Sequence, residues 1–230
     1  MRVPGRFEDL PLAMQKEEIR PYYEDLVKKN GQLLVKRAFD FLLALLLTLL
    51  ASPILLLAAL AVKLTSKGPI FYRQERVTQF GRHFYILKFR TMVVNADQIG
   101  GSVTIDGDPR VTSAGHFLRR FRVDEFPQLL NILFGDMSLV GTRPEVPKFV
   151  RQYSNEMMAT LLMPAGATSM CSIAFSHESD LIQGQKDPDH FYVETLLPQK
   201  MAINLSELKK FSIGHDLYVL GKTIGAIFQL

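Results

Sequence analysis

Asp124 and Glu125 are adjacent carboxylates in the stretch FRVDEFPQLLNILFGDMSLVGTRPE, Phe121 to Glu145. Arg119, Arg120 and Arg122 stand around or just ahead of its start, an apolar run follows, and Asp136 and Arg143 come soon after. Opposed charges at this density admit three readings: a helix cap, a salt-bridged structural patch, or a site for a phosphate ester with a metal ion. Gln128 to Leu133 reads as a helix ended by Gly135, and Pro127 fits only its first turn, so both acids fall at or just before the N-terminus. A cap is the ordinary role of an acid there. It needs one acid and explains neither the second carboxylate nor the arginines. A helix N-terminus also attracts phosphate, and the arginines are expected to lower both carboxylates' pKa, keeping them ionised as ligands or nucleophiles.

Two further cations come from the preceding segment. PIFYRQERVTQFGRHFYILKFRTM reads as two strands around a turn near Thr78 to Gly81. Alternation places Phe84, Ile86, Lys88 and Arg90 on one face of the second strand, where the two cations form either a solvated edge or a clamp for anionic oxygens. Asn95 to Gly115, with DGDPR at its centre, reads as a long loop. A helical turn from His116 is expected to carry Arg119 and Arg122 on one side.

These elements need an anchor, and Phe41 to Val62 supplies one: 22 uncharged residues, enough for a helix to cross a hydrocarbon core and lacking a polar face. Pro53 sits near its middle, removing a backbone donor and crowding the carbonyl of Leu49, while Ser52 is placed to re-satisfy the freed group. Lys28, Lys29, Lys36 and Arg37 precede the block and Lys63 and Lys67 follow it, so the charge rule gives no clear orientation. A single span and a re-entrant helix returning to the same face both remain open. Replacing Ser52 and Pro53 is expected to favour the span. Asp40 is expected to pair at the membrane edge with Lys36 or Arg37.

Composition narrows the rest. A net charge of +4 over 230 residues does not argue for nucleic acid, and Cys171 is the single cysteine, which excludes a disulfide framework. The five histidines show no ligand spacing. Residues 1–30 do not read as a signal peptide. In GHDLYVLGKTIGAIFQL, Leu217, Leu220, Ile224 and Ile227 form an apolar stripe that suits either the core or a membrane surface.

The succession KRAFDF…SP, FYRQERVTQFGRHFYILKFRTM and DPRVTSAGHFLRRFRVDEFPQLLNILFGDMSLVGTRPE closely resembles the bacterial sugar transferase family, the monotopic phosphoglycosyl transferases. The resemblance is strong from Lys36 to Glu145 and looser beyond, and it is to the short members. It implies transfer of a sugar-1-phosphate from a UDP-sugar to undecaprenyl phosphate, with release of UMP, at the cytoplasmic face of a bacterial inner membrane. By the family's pattern Asp124 is the nucleophile, Glu125 helps hold Mg²⁺ or Mn²⁺, and Lys88, Arg90, Arg119 and Arg143 bind substrate. Ser52-Pro53 matches the family's helix break and favours the re-entrant topology. Thr142 stands where proline is usual and Phe126 where leucine is, and MPAGATSMCSIAF is an unusual version of the family's Pro-Gly-x-Thr region. A catalytically silent membrane-anchored scaffold and a nucleotide-sugar-binding module are the rivals.

The expected architecture is mixed α/β and mainly helical. It comprises an extension (1–35), a re-entrant membrane helix (36–67), and a cytoplasmic catalytic domain with a small β-hairpin and amphipathic surface helices (68–230). Inner-membrane lipids are expected partners, nucleic acid is not, and homo-oligomerisation is open.

Overall fold

The structure, a computed structural model, describes residue 1, residues 3–96 and residues 108–227, the side chain of Ile227 excepted. Its elements are α1 (Arg20–Lys28), α2 (Asn30–Thr65), β1 (Phe71–Val77), β2 (His83–Phe89), α3 (Ser113–Arg120), α4 (Gln128–Phe134), β3 (Met137–Val140), α5 (Pro147–Val150), β4 (Ala165–Thr168), α6 (Met170–Ala174), α7 (Glu178–Ile182), α8 (Pro188–Phe191), α9 (Leu197–Lys209) and α10 (Ile213–Ile227). The fold is mostly helical with two small sheets. In one, β1 and β2 form an antiparallel hairpin pairing Phe71 with Phe89 and Val77 with His83. In the other, β3 and β4 run parallel, Met137 opposite Ala165.

The apolar block lies within α2, which begins at Asn30, ahead of the expected start at residue 36. Leu49, Leu50, Leu56 and Leu57 are all more than 60 % exposed, which no aqueous surface would favour over so long a stretch. Pro53 cannot donate to the carbonyl of Leu49, and Ser52 Oγ donates to that oxygen instead, at 2.8 Å. Both ends of α2 pack on the same body. Ala44 lies in a cluster with Ile132 and Met137, while Ala58 and Val62 pack with Phe89 and Leu118.

The polar N-terminal segment hides a core. Phe7, Leu10, Met14, Ile19 and Leu26 are buried in one cluster with Leu33, Leu162, Leu208 and Phe211. Of the two partners expected for Asp40, Lys36 forms the ion pair, inside a buried network. Asp40 accepts from Ser138 Oγ at 2.7 Å and from the Leu139 N–H at 3.3 Å; Lys36 Nζ lies 3.7 Å from it but only 2.6 Å from Asp216. Arg37 does not pair with Asp40. It donates to the carbonyls of Ile132 and Leu133 at the C-terminal end of α4, where a cation also meets the negative end of the helix dipole.

Two other expectations change. The helix after the long loop starts at Ser113, capped by Thr112 Oγ1 accepting from the Gly115 N–H, and ends at Arg120; Arg122 lies beyond it in a left-handed conformation (φ 52°), so Arg119 and Arg122 share no helical face. The centre of that loop, 97–107, falls outside the described residues. In α10 Leu217, Leu220 and Ile224 share one helical face, with Leu217 and Ile224 exposed, while Val219 turns to the core, so of the two expected uses of the stripe the core is not the one found; Ile227 falls outside the described side chains.

Two close approaches require glycine. A Cβ on Gly166 would sit 2.1 Å from the backbone nitrogen of Gly141, where the ladder of β3 and β4 continues. At Gly68 (φ 121°) a Cβ would sit 2.1 Å from the Arg90 guanidinium.

Candidate active site

The hairpin, α4 and the segment after β3 converge on Glu125. A 3-10 turn, Val123–Glu125, leads directly into α4, whose N-cap position is Pro127; neither acid caps the helix. With capping set aside, the pair is available for other work. Glu125 Oε1 accepts from Lys88 Nζ at 2.6 Å and from the Arg143 guanidinium at 2.9 Å. Burial pushes the Glu125 carboxyl up, but the charges of Arg143 and Lys88 more than offset it and hold the group well below the usual carboxylate range. Burial lowers the Lys88 pKa despite the attraction of Glu125, and the carboxylate raises that of Arg143.

Asp124 behaves differently from expectation. It has no ion-pair partner within contact distance among the described residues, and its pKa is raised, first by burial and then by the negative charge of Glu125; Lys88 and Arg119 pull only partly the other way. The arginine cluster therefore lowers one carboxylate, not both. Arg119 donates through Nε to Thr91 Oγ1 at 2.9 Å, and burial lowers its pKa against the pull of Asp124. Arg90 is not brought to this cluster. β2 ends at Phe89, and the Arg90 guanidinium donates to the carbonyls of Lys67 (2.7 Å) and Ser66 (2.9 Å) and to Ser66 Oγ (2.8 Å), just past the end of α2.

A cavity of about 680 Å³ opens beside the pair. Its wall runs from Leu47 and Ala51 of α2, next to Ser52 and Pro53, past Glu125, Phe126 and Arg143 to Lys200. Asp124 borders the cluster without lining this cavity. The MPAGATSMCSIAF region supplies Ala167, Thr168, Cys171 and Ser172 to the wall. Thr142, in place of the usual proline, turns its carbonyl to the Gly166 N–H at 2.8 Å. A second cavity, about 280 Å³, adjoins the first across Arg143, Glu145, Glu178 and Lys200.

The shared wall escapes a reading of local motifs. Lys200 Nζ donates to Tyr192 Oη (2.7 Å) and Glu145 Oε1 (3.2 Å) and pairs with Glu178 (2.9 Å), and Tyr192 Oη donates to Glu145. Burial, then the Glu145 charge, pushes the Tyr192 pKa far up, so the phenol stays a donor. The signal was the acidic residue of GTRPE; its partners lie 47 and 55 positions away.

Among the described residues no group of three His, Cys, Asp or Glu side chains could cage a metal ion. Magnesium does not need one: it uses one or two carboxylates and completes its shell with water and substrate phosphates. Glu125, whose Oε2 accepts from no described residue, fits such a partial site.

The profile of the family described as "Bacterial sugar transferase" matches residues 31–230. The chain belongs to that family. Among its relatives, a UDP-N-acetylgalactosamine-undecaprenyl-phosphate N-acetylgalactosaminephosphotransferase of Aeromonas hydrophila is 36% identical over 84% of this chain and 43% of that protein. A UDP-glucose:undecaprenyl-phosphate glucose-1-phosphate transferase of Caulobacter vibrioides is 38% identical over 84% of this chain and 69% of its own length. The exopolysaccharide production protein ExoY of Rhizobium meliloti is 32% identical over 84% of this chain and 85% of its own. The chain thus spans under half the length of the first of these and most of the other two.

Proposed function

We propose that this protein transfers a sugar-1-phosphate from a UDP-sugar to undecaprenyl phosphate, releasing UMP, as a membrane step of glycoconjugate assembly at the cytoplasmic face of a bacterial inner membrane. The observation that carries the reading is the large cavity, which joins an ion-paired acid cluster to the exposed apolar helix. An isoprenoid phosphate needs that combination, with its chain beside Leu47 and Ala51 and its phosphate near Arg143. Both ends of α2 pack on one body, which supports a helix that enters the bilayer and returns to the same face.

Asp124 attacks the sugar-bearing phosphorus. A carboxylate O–P bond forms, the P–O bond to the nucleotide breaks, and UMP leaves with the bridging oxygen. An oxygen of the polyprenyl phosphate then attacks that phosphorus and returns Asp124 to a free carboxylate. Arg143 and Lys88 are fixed by Glu125 before substrate arrives, so their charge is preorganised for the diphosphate. Mg²⁺ or Mn²⁺ held by Glu125 would supply further neutralisation of the diphosphate. Taking the two phosphate anions in turn avoids their mutual repulsion in one site.

The test is UMP release from a panel of UDP-sugars by the full chain in detergent, without acceptor. About one equivalent per protein is expected, then turnover when undecaprenyl phosphate is added. Asp124→Asn loses the first equivalent but still binds donor. Release that waits for acceptor, or substantial turnover by the Asn variant, rules out the covalent route.

A further inference from the structure

We propose that the smaller cavity holds the nucleoside of the donor while the larger one holds the phospho-sugar. This assignment rests on the reaction proposed above. A nucleotide sugar has two arms diverging from one diphosphate, and here two cavities meet at Arg143. Arg143 uses one guanidinium nitrogen on Glu125, and its remaining donors make no hydrogen bond to a described residue.

The chemistry decides which arm goes where. The bond between sugar and phosphorus-bearing oxygen survives the reaction, and the product leaves on the lipid. The sugar therefore belongs in the compartment that the lipid reaches, the one walled by Leu47 and Ala51. The bond to the nucleotide breaks, and UMP departs into water. Its arm belongs in the compartment without any residue of α2, and the smaller cavity has none.

The lining of that cavity suits a neutral, flat, hydrogen-bonding group. Its other cations are already engaged: Arg76 with the Pro144 carbonyl (2.9 Å) and Gln74 Oε1 (2.7 Å), Lys148 with Asp189 (2.8 Å), and Lys200 in the network with Glu145 and Glu178. No spare cation asks for a second phosphate there. Gln74 is half-buried, and while its oxygen is taken by Arg76, its amide nitrogen bonds to no described residue and remains a donor for a pyrimidine carbonyl. Phe149, packed on Tyr192 with ring centroids 4.4 Å apart, offers a partly exposed aromatic wall. About 280 Å³ is small for a whole ligand and adequate for one ring and a ribose.

Two measurements test this on the full-length protein in detergent. Photo-crosslinking of the wild type with 4-thio-UMP should label peptides containing residues 72–76, 146–149 or 188–192. Label confined to 167–176, which lines only the larger cavity, overturns the assignment. Gln74→Leu should raise the inhibition constant of UMP and the KM of the donor together, by about 5–10-fold for one lost hydrogen bond, with the KM of undecaprenyl phosphate unchanged. UMP inhibition that stays at the wild-type value overturns the assignment, whether or not the donor KM moves. Wild-type protein that releases no UMP from any UDP-sugar would instead sink the reaction, whereas release with crosslinks elsewhere sinks only the subsite.

Discussion

Replacing Ser52 by Ala and Pro53 by Leu removes the helix break, and the sequence alone suggests that α2 would then straighten into a span. Energies read from the fold predict otherwise. Removing a helix-interior proline favours a straight helix by about 3 kcal/mol. A straight crossing would have to place the two ends of the apolar block on opposite sides of a core about 30 Å thick. Residues 66–70, between α2 and β1, reach only about 18 Å when fully extended, so the catalytic body cannot stay on the N-terminal side. It would separate from residues 3–33. That exposes Phe7, Leu10, Met14, Ile19, Leu26 and Leu33, all buried now. At about 1.5–3 kcal/mol each, these six cost roughly 9–18 kcal/mol, several times the gain. The double variant is therefore expected to keep both ends on one side. Single cysteines at Gln32 and Lys67, with Cys171 replaced, should both resist a membrane-impermeant maleimide in intact cells and both react after permeabilisation. Labelling of one of the pair in intact cells would refute the reasoning.

Two further outcomes follow from the charges. Glu125 has a depressed pKa in the folded protein, so its contribution to stability is full above the ordinary carboxylate value, near 4.3, and is lost as pH falls toward the depressed one. The gap in Tm between wild type and Glu125→Gln should hold steady from pH 8 to 5 and narrow below about 4; a gap that widens on acidification contradicts the assignment. Lys36→Met leaves Asp40 and Asp216 buried without their cation, at a cost of about 3–5 kcal/mol at neutral pH. Burial raises the Asp216 pKa, so that loss should shrink as pH falls and the acid takes up a proton, and adding Asp216→Leu should recover much of it, read by thermal unfolding in detergent.

The parts of this fold legible in the sequence are those written in adjacent residues. The apolar block, the hairpin turning at Gln79–Gly81, and the acids just ahead of α4 all fall where local pattern puts them. Even the bond from Ser52 to the orphaned Leu49 carbonyl follows from a proline three to four residues away. Long-range pairing was not legible. β3 and β4 are four residues each, too short for alternation to show, and pair across an intervening 24-residue stretch, 141–164. The buried acid–phenol–amine network unites Glu145, Glu178, Tyr192 and Lys200, no two of them neighbours. Asp124 eluded the charge argument because desolvation, which raises its pKa, depends on packing that adjacent arginines do not reveal. Residues 3–28 do carry a helical period where α1 buries Tyr22, Tyr23 and Leu26 beside Ile19, but the charges interleaved along the segment make a core element read as a polar tail.

Arg90 links two regions that could have drifted apart. Its side chain is tied to the carbonyls following α2, and its backbone N–H donates to Ile70, prolonging the hairpin that presents Lys88 two residues earlier. Two residues of extended chain measure about 6.8 Å. The separation of Lys88 from the end of α2 is thus a fixed covalent length, independent of what surrounds the exposed helix. Any displacement of α2 must carry the Lys88–Glu125 pair with it as one piece. An insertion in the short run from Lys88 to Arg90 would uncouple the acid cluster from the end of α2.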